Sequence, residues 1–313
     1  MTNILTLPFL LSVIYAGIRM SVPITFATTG EIISERSGVL NISLEGQMLF
    51  GAFFSFTVAY FTGSNILGII AGAFGGLALA LILAVACVSF QADQSIAGIT
   101  LNMFAAGFTT FFYRIIFGIS TDPPSVKSIP SLSIPGLSTH KILGPLLFNH
   151  NYLVYVSLVV MIIAHMIIFN TTAGLKLRSV GENPLAAETM GVNVVKTRYL
   201  AILFCGILAG VGGSYLSLSI LGRFVTDATA GRGYIALAIT IFSGWKPIKG
   251  FFAAMLFGML QGLQMRLQAL GVSVPYQFMM MIPYFFTLVV LIFSRGKRKP
   301  PQSLTLPYVR GEL

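Results

Sequence analysis

AGLKLRSVGENPLAAETMGVNVVKTR, residues 173–198, is a polar island set between two long apolar runs. It concentrates Lys176, Arg178, Glu182, Glu188, Lys196 and Arg198 in a chain that is otherwise poor in charge. Asn183 suits the capping position of a helix and Pro184 its first turn, so a short helix is expected to start there. Ala186, Ala187 and Gly191 would leave it a face that another protein surface can approach closely. Two readings fit the island. One is a solvated loop with a helical turn. The other is a short helix held between membrane spans by basic flanks, through which a membrane protein feels a cytoplasmic motor.

The rest of the chain supplies the membrane. Of 313 residues, 56% are apolar and 9% charged, against roughly 25% charged in soluble proteins. Apolar runs of spanning length recur almost throughout. A hydrocarbon layer takes about 20 residues of helix, and its lack of water forces the backbone to bond within itself. The fold class is therefore all-α, a polytopic transmembrane helical bundle forming one domain over residues 1–313. The net charge of +10 falls on the island, on Lys246 and Lys249, and on Arg295, Lys297, Arg298, Lys299 and Arg310 of the tail. Such clusters mark cytoplasmic loops; the aromatic platforms of a soluble RNA-binding fold are missing, so no nucleic-acid partner is expected. Cys87 and Cys205 lie in apolar runs and suit packing better than a disulfide. No Lys or Arg precedes the first apolar run, so a cleaved signal peptide is not expected.

Spans are expected near 5–28, 47–62, 66–88, 95–118, 151–170, 199–220, 234–244, 250–267 and 277–294. The total is nine, or ten if residues 30–46 add a crossing. Counting back from a cytoplasmic tail puts the turn at 244–250 and the island on one side. Residues 119–151, rich in Pro and Ser and poor in Lys and Arg, then form an external loop. Segments 30–46 and 231–245 are bounded by Gly and too short to span. Short interrupted segments at matching places in two halves, here 21–118 and 199–294, point to a transporter's pathway. Small residues recur every fourth position at Gly68, Gly72 and Gly76, at Gly206, Gly210 and Ser214, and at Gly250, Ala254, Gly258 and Gly262. Rows of this kind let helix backbones pack closely in lipid.

Catalytic signals are missing. There is no phosphate-binding loop, His140, His150 and His165 have no metal spacing, and no nucleophile elbow occurs, so the chain does not read as an enzyme. Ionisable groups at membrane depth are costly and face a watery cavity or a partner. Asn41 and Glu45, among Leu40, Ile42 and Leu44, are candidates for a substrate pathway. Glu31, Glu35 and Arg36 fit a solvated surface equally well, with Glu35 paired to Arg36. Asn102 is a mid-span amide that either bonds a substrate hydroxyl or ties two helices together. Gln261 and Gln264 share that ambiguity, and Tyr234 and Trp245 fit an interfacial belt as well as a binding role.

These motifs together resemble the permease subunits of bacterial ABC importers, in the branch of simple-sugar and nucleoside uptake. TGEIISERSGVLNISLEGQMLFGAF (29–53) looks like the nucleoside-type signature, and GENPLAAETMGV (181–192) like the coupling motif that docks on the ATPase. GRGYIALAITIFSGWKP (231–247), PYFFTLVVLI (283–292) and LPYVRGE (306–312) continue the match along nearly the full chain. One departure is that Leu185 precedes Ala186 and Ala187 where the wider coupling pattern has Glu. The resemblance implies half of a nucleoside pathway in the bacterial cytoplasmic (inner) membrane; on it, Asn41, Glu45 and Asn102 are the amides and carboxylate expected to meet ribose hydroxyls. It implies a coupling surface at Glu182, Asn183, Pro184, Ala186, Ala187 and Gly191. The implied partners are a longer homologous permease, an ABC ATPase and an extracellular substrate-binding lipoprotein. ATP would sit on the ATPase, so no cofactor is expected in this chain. A monosaccharide importer shares much of the pattern, and an ion-coupled secondary transporter is the reading from another class.

Overall fold

The computed structural model describes residues 7–118, 123–133, 146, 148–269, 278, 281, 285–286 and 299–309. Helix α1 (Leu7–Arg36) continues through Pro23 for 30 residues, about 45 Å at 1.5 Å per residue. After a turn at residues 37–43 follow α2 (Leu44–Thr62), α3 (Asn65–Ala84, extended by a π-turn at Val85–Ser89) and α4 (Gln94–Phe117). A small antiparallel ribbon, β1 (Ser131–Ser133) with β2 (Asn149–Asn151), pairs Leu132 with His150. Then come α5 (Tyr152–Asn170), α6 (Thr172–Glu182), α7 (Pro184–Thr189), α8 (Val194–Tyr215, with a π-turn at Leu216–Leu221), α9 (Arg232–Ser243) and α10 (Pro247–Ala269).

Polar residues start these helices where the chain re-enters apolar sequence. Asp93 accepts the N–H groups of Ser95 and Ile96 at the head of α4, and Asn193 accepts that of Lys196 at the head of α8. Each satisfies donors that a helix end leaves orphaned. Among the described residues, five helices are long and apolar enough to cross a membrane: α1, α3, α4, α5 and α8. At 19 and 23 residues, α2 and α10 match them in length. Helix α9, 12 residues long, reaches only about 18 Å. The first eight expected spans thus correspond to α1–α5 and α8–α10, while 277–294 lies largely outside the described residues. No tenth crossing forms at 30–46: residues 30–36 are the last turns of α1.

Two of the small-residue rows pack against each other. A Cβ on Gly76 would overlap the Gly206 carbonyl, and one on Gly210 would overlap that of Gly72, so α3 and α8 touch backbone to backbone. Gly51 brings α2 onto Gly210 in the same way. The third row lays α10 along α1, where a Cβ on Gly258 would stand 2.6 Å from the Ser21 nitrogen. Around this tightly packed interior, Phe61, Phe74, Phe111, Ile163 and Phe252 are exposed, as lipid-facing positions should be. Cys87 and Cys205 are both buried and free.

Arg36, Lys176, Arg178, Lys196, Lys246, Lys249 and Lys299 gather at one end of the bundle, which the bias of Lys and Arg toward cytoplasmic loops makes the cytosolic end. On the opposite side, part of the expected external loop folds over the end of α8, with Val126 N–H bonded to Gly222 O at 2.8 Å and Ile129 N–H to Leu218 O at 3.2 Å. Residues 119–122, 134–145 and 147 of that loop are outside the described set.

Candidate functional site: a mid-depth junction and a cytosolic lever

The turn at 37–43 brings the chain back up along α1. Gly38 has φ +91°, a conformation that an L side chain resists. Asn41 N–H then bonds Glu31 Oε1 at 3.0 Å, five residues above Arg36. The Asn41 side-chain amide donates to Gln47 Oε1 at 3.0 Å and to Cys205 Sγ at 3.2 Å, and its Oδ1 accepts from Ser43 and Gln47. Asn41 is 0% exposed. It builds the re-entrant turn and faces no open space in this conformation.

Because of that turn, α2 starts well inside the bundle, with Glu45 in its first turn. Glu45 Oε1 accepts the Gly231 N–H at 2.7 Å and Oε2 the Gly233 N–H at 2.6 Å. These are donors at the head of α9. From this point α2 leads outward, with Ser55 reaching Ser217 at 2.9 Å. Helix α9 leads to the cytosolic end, where Trp245 Nε1–H donates to Glu35 and Arg36 Nε–H donates to the Trp245 carbonyl at 3.3 Å. The starts of two helices therefore meet at one carboxylate, and helix N-termini attract negative charge. The length of α9 places Glu45 about 18 Å from the Trp245 level, near the middle of a ~30 Å hydrocarbon core.

Asn102, about 12 Å along α4 from Gln94, completes the junction. Its Oδ1 accepts the Gly46 N–H at 2.7 Å, and its Nδ2 donates to Ile42 O at 2.9 Å and to the Tyr234 hydroxyl at 3.0 Å. Here the amide does tie helices together, and it also holds the hydroxyl of a side chain that is 48% exposed. The two aromatics that fit either a belt or a binding role are placed differently. Tyr234 sits at the junction, and Trp245 is buried on Glu35. Glu35 thus serves Trp245, and the expected solvated pairing of Glu35 with Arg36 gives way to a buried site, since adjacent residues of a helix point apart. Gln261 is buried on α10, Gln264 is half-buried, and Arg266 is exposed near the external end.

At the cytosolic end, Asn183 caps α7 as expected: its side chain accepts the Ala186 N–H at 3.0 Å, with Pro184 in the first turn. Glu182, Asn183, Ala186, Met190 and Gly191 are exposed, Met190 by 83%, while Pro184 is half-buried. Gly191 has φ +82° and open space beside it. Ala187 departs from the expected docking face. At 4% exposure it packs inward with Val180, Val194 and Tyr308, because helical spacing puts residues 186 and 190 on one face and 187 on another. The island also contains a second helix, α6, that polar composition concealed.

The family comparison decides what this architecture belongs to. Residues 13–293 match the family described as "branched-chain amino acid transport system / permease component". The chain belongs to this permease family. It is 36% identical to the guanosine ABC transporter permease protein NupQ of Bacillus subtilis, covering 96% of this chain and 97% of that one. It is equally identical, at 36%, to the nucleoside ABC transporter permease protein NupC of Lactococcus lactis, covering 93% and 95%. A putative glucose ABC transporter permease protein, TsgC13 of Haloferax volcanii, is 34% identical over 91% and 92%. No solved structure matches the chain.

The permease is a multi-pass membrane subunit whose relatives are permease subunits of ABC transporters. Among the described residues, no three His, Cys, Asp or Glu come together to hold a metal. Reading the sequence missed the partners of Glu35, Glu45 and Arg198. The available signal was the cost of placing an ion in an apolar context, which demands a partner without naming it.

Proposed function

We propose that the permease forms one half of the membrane pathway of an ATP-driven importer, with nucleosides as its cargo. The junction at Glu45 carries the reading. A half-length helix starts near mid-depth, and its first turn carries an exposed tyrosine. A nucleoside needs an aromatic wall for its base and a few hydrogen-bonding groups for its ribose. Tyr234 and Phe104, both 48% exposed, supply the wall, and the Tyr234 hydroxyl held by Asn102 supplies the polar contact. Asn41 and Glu45 act on the pathway with Asn102 by setting where α2 and α9 begin. The relatives named for guanosine and nucleosides support this cargo. The relative named for glucose supports a monosaccharide as the second reading.

Glu182, Asn183, Pro184, Ala186 and Gly191 form the lever that docks on an ABC ATPase; Ala187 backs it from within. ATP is held by that ATPase, and this chain carries no cofactor of its own. A second, homologous permease closes the pathway, and a substrate-binding lipoprotein delivers cargo to the external side of the bacterial cytoplasmic membrane. Residues 1–313 act as one domain. ATP biases the assembly because it binds one arrangement of the ATPases better than the other.

Uptake of radiolabelled guanosine and glucose, with and without the gene, tests the proposal. Guanosine uptake should disappear without the gene and be blocked by vanadate. Loss of glucose uptake alone would establish the sugar reading. Uptake that ignores vanadate and fails with an uncoupler would overturn the ATP-driven one.

A further inference from the structure

The carboxy-terminal motif LPYVRGE stands out in the sequence but supplies none of the residues assigned to the pathway or to the exposed face of the lever. Residues 299–309 form a strap across the cytosolic end of the bundle, in contact with the turns that follow α1, α3 and α6. Ser303 bonds the Gly181 carbonyl twice, through its N–H at 2.9 Å and its hydroxyl at 2.7 Å, where α6 gives way to α7. Gly38, in the turn after α1, lies so close that a Cβ there would overlap Ser303 Oγ. Gln91, between α3 and α4, donates to the Tyr308 carbonyl at 3.3 Å. Arg198, in the first turns of α8, donates to Leu306 O at 3.1 Å and to Ser303 Oγ at 3.4 Å, with its guanidinium 6.0 Å from the centre of the Tyr308 ring.

Two features make this more than a tail resting on a surface. Arg198 is 1% exposed and is the largest fully buried side chain among the described residues. A buried guanidinium is strongly unfavourable without acceptors, and strap atoms supply them. In addition, Tyr308 reaches the lever itself. Its ring packs on Val180, Ala187 and Val194, and its hydroxyl donates to Glu188 of α7. Helix α7 is six residues long, with Ala187 as its one buried residue, so the lever has little packing of its own through which to move the bundle.

We propose that the strap is the transmission between lever and bundle. Displacement of α7 passes from Glu188 to Tyr308, and from there through Arg198 into α8 and through Gln91 toward α3 and α4. Tyr308 is thus a positioning residue for transport. The inference rests on reading α7 as the surface that meets the ATPase.

The test uses the complete importer in proteoliposomes, with both permeases, the ATPase and the capture protein, and measures substrate imported per ATP hydrolysed. Tyr308→Phe removes only the hydroxyl, and Glu188→Gln weakens its acceptor. Each should lower the ratio at least about tenfold, the scale of one lost hydrogen bond to a charged group. The double variant should fall no further than either single one. A contact that matters only for folding would reduce the amount of assembled complex and leave the ratio unchanged. An unchanged ratio in either assembled single variant, or additive losses in the double, overturns the proposal, and Glu188→Gln alone serves if Tyr308→Phe fails to assemble. A Met190→Cys variant, cross-linked to cysteines on the ATPase, separates the two ideas. Cross-linking with an unchanged ratio removes the strap's role and keeps the lever. No cross-link in any nucleotide state removes both.

Discussion

Glu45 meets the backbone N–H of Gly233 at 2.6 Å across 188 residues of chain, and its other oxygen takes the N–H of Gly231. Both oxygens of one carboxylate are thus committed to the first turn of a helix that starts inside the membrane. A Cβ on Gly233 would lie 2.5 Å from the Glu45 nitrogen, so the contact depends on the side chain at 45 and on the lack of one at 233.

Glu45→Gln should lower uptake at least about fivefold in complexes that still assemble. An amide offers one acceptor where two donors arrive, and an unmet buried donor costs about 1–3 kcal/mol. Transport normalised to purified complex measures this. Wild-type uptake in the variant would remove Glu45 from the pathway's framework.

Gly233→Ala should reduce uptake and assembly together, since its methyl group meets backbone that cannot rotate away. Tyr234→Phe, one residue on, should leave assembly intact and raise the apparent KM for nucleoside. A change in kcat alone would place the hydroxyl outside substrate contact.

Trp245 is the single tryptophan of the chain, so its emission reports on the turn between α9 and α10. Its backbone has φ +56°, a strained conformation for a residue with a side chain, held by bonds to Glu35 and Arg36. Glu35→Ala should shift the emission and lower the Tm, because the indole N–H loses its acceptor at a cost of about 1–3 kcal/mol. Unchanged emission and Tm would show that the turn holds without Glu35.

Substitution along the lever should divide by face. Ala186→Trp on the exposed side should uncouple ATP hydrolysis from uptake in a complex of normal stability. Ala187→Trp should instead lower the yield of folded permease, because overpacking a filled site costs about 1–3 kcal/mol. The ratio of uptake to hydrolysis, read beside the Tm, distinguishes them. Equal effects at both positions would contradict the inward packing of Ala187.

Gly72→Leu and Gly210→Leu should each abolish assembly, since either side chain would drive α3 and α8 apart along their shared seam. Detergent-extracted complex, measured by size-exclusion chromatography, checks this. Normal recovery of either variant would mean that the helices can separate without loss.

What could be read without coordinates was local. Apolar runs gave eight helices near their observed positions, Asn183 and Pro184 marked the start of α7, and every-fourth-residue rows identified the helix faces that pack. These features follow from helical period, capping and the absence of water in a bilayer, all of which act over a few residues. The reach of α1 to Arg36 was less legible, because Glu31, Glu35 and Arg36 look solvated until their distant partners are known.

The tertiary structure decided the pairings. Glu45 with Gly231 and Gly233, Glu35 with Trp245, Asn102 with Tyr234, and Arg198 with the strap all join residues more than 100 positions apart. A buried polar group must find a partner, and its own sequence neighbourhood states that demand. Which group answers depends on how the helices cross, and the backbone-to-backbone packing of the whole bundle sets those crossings.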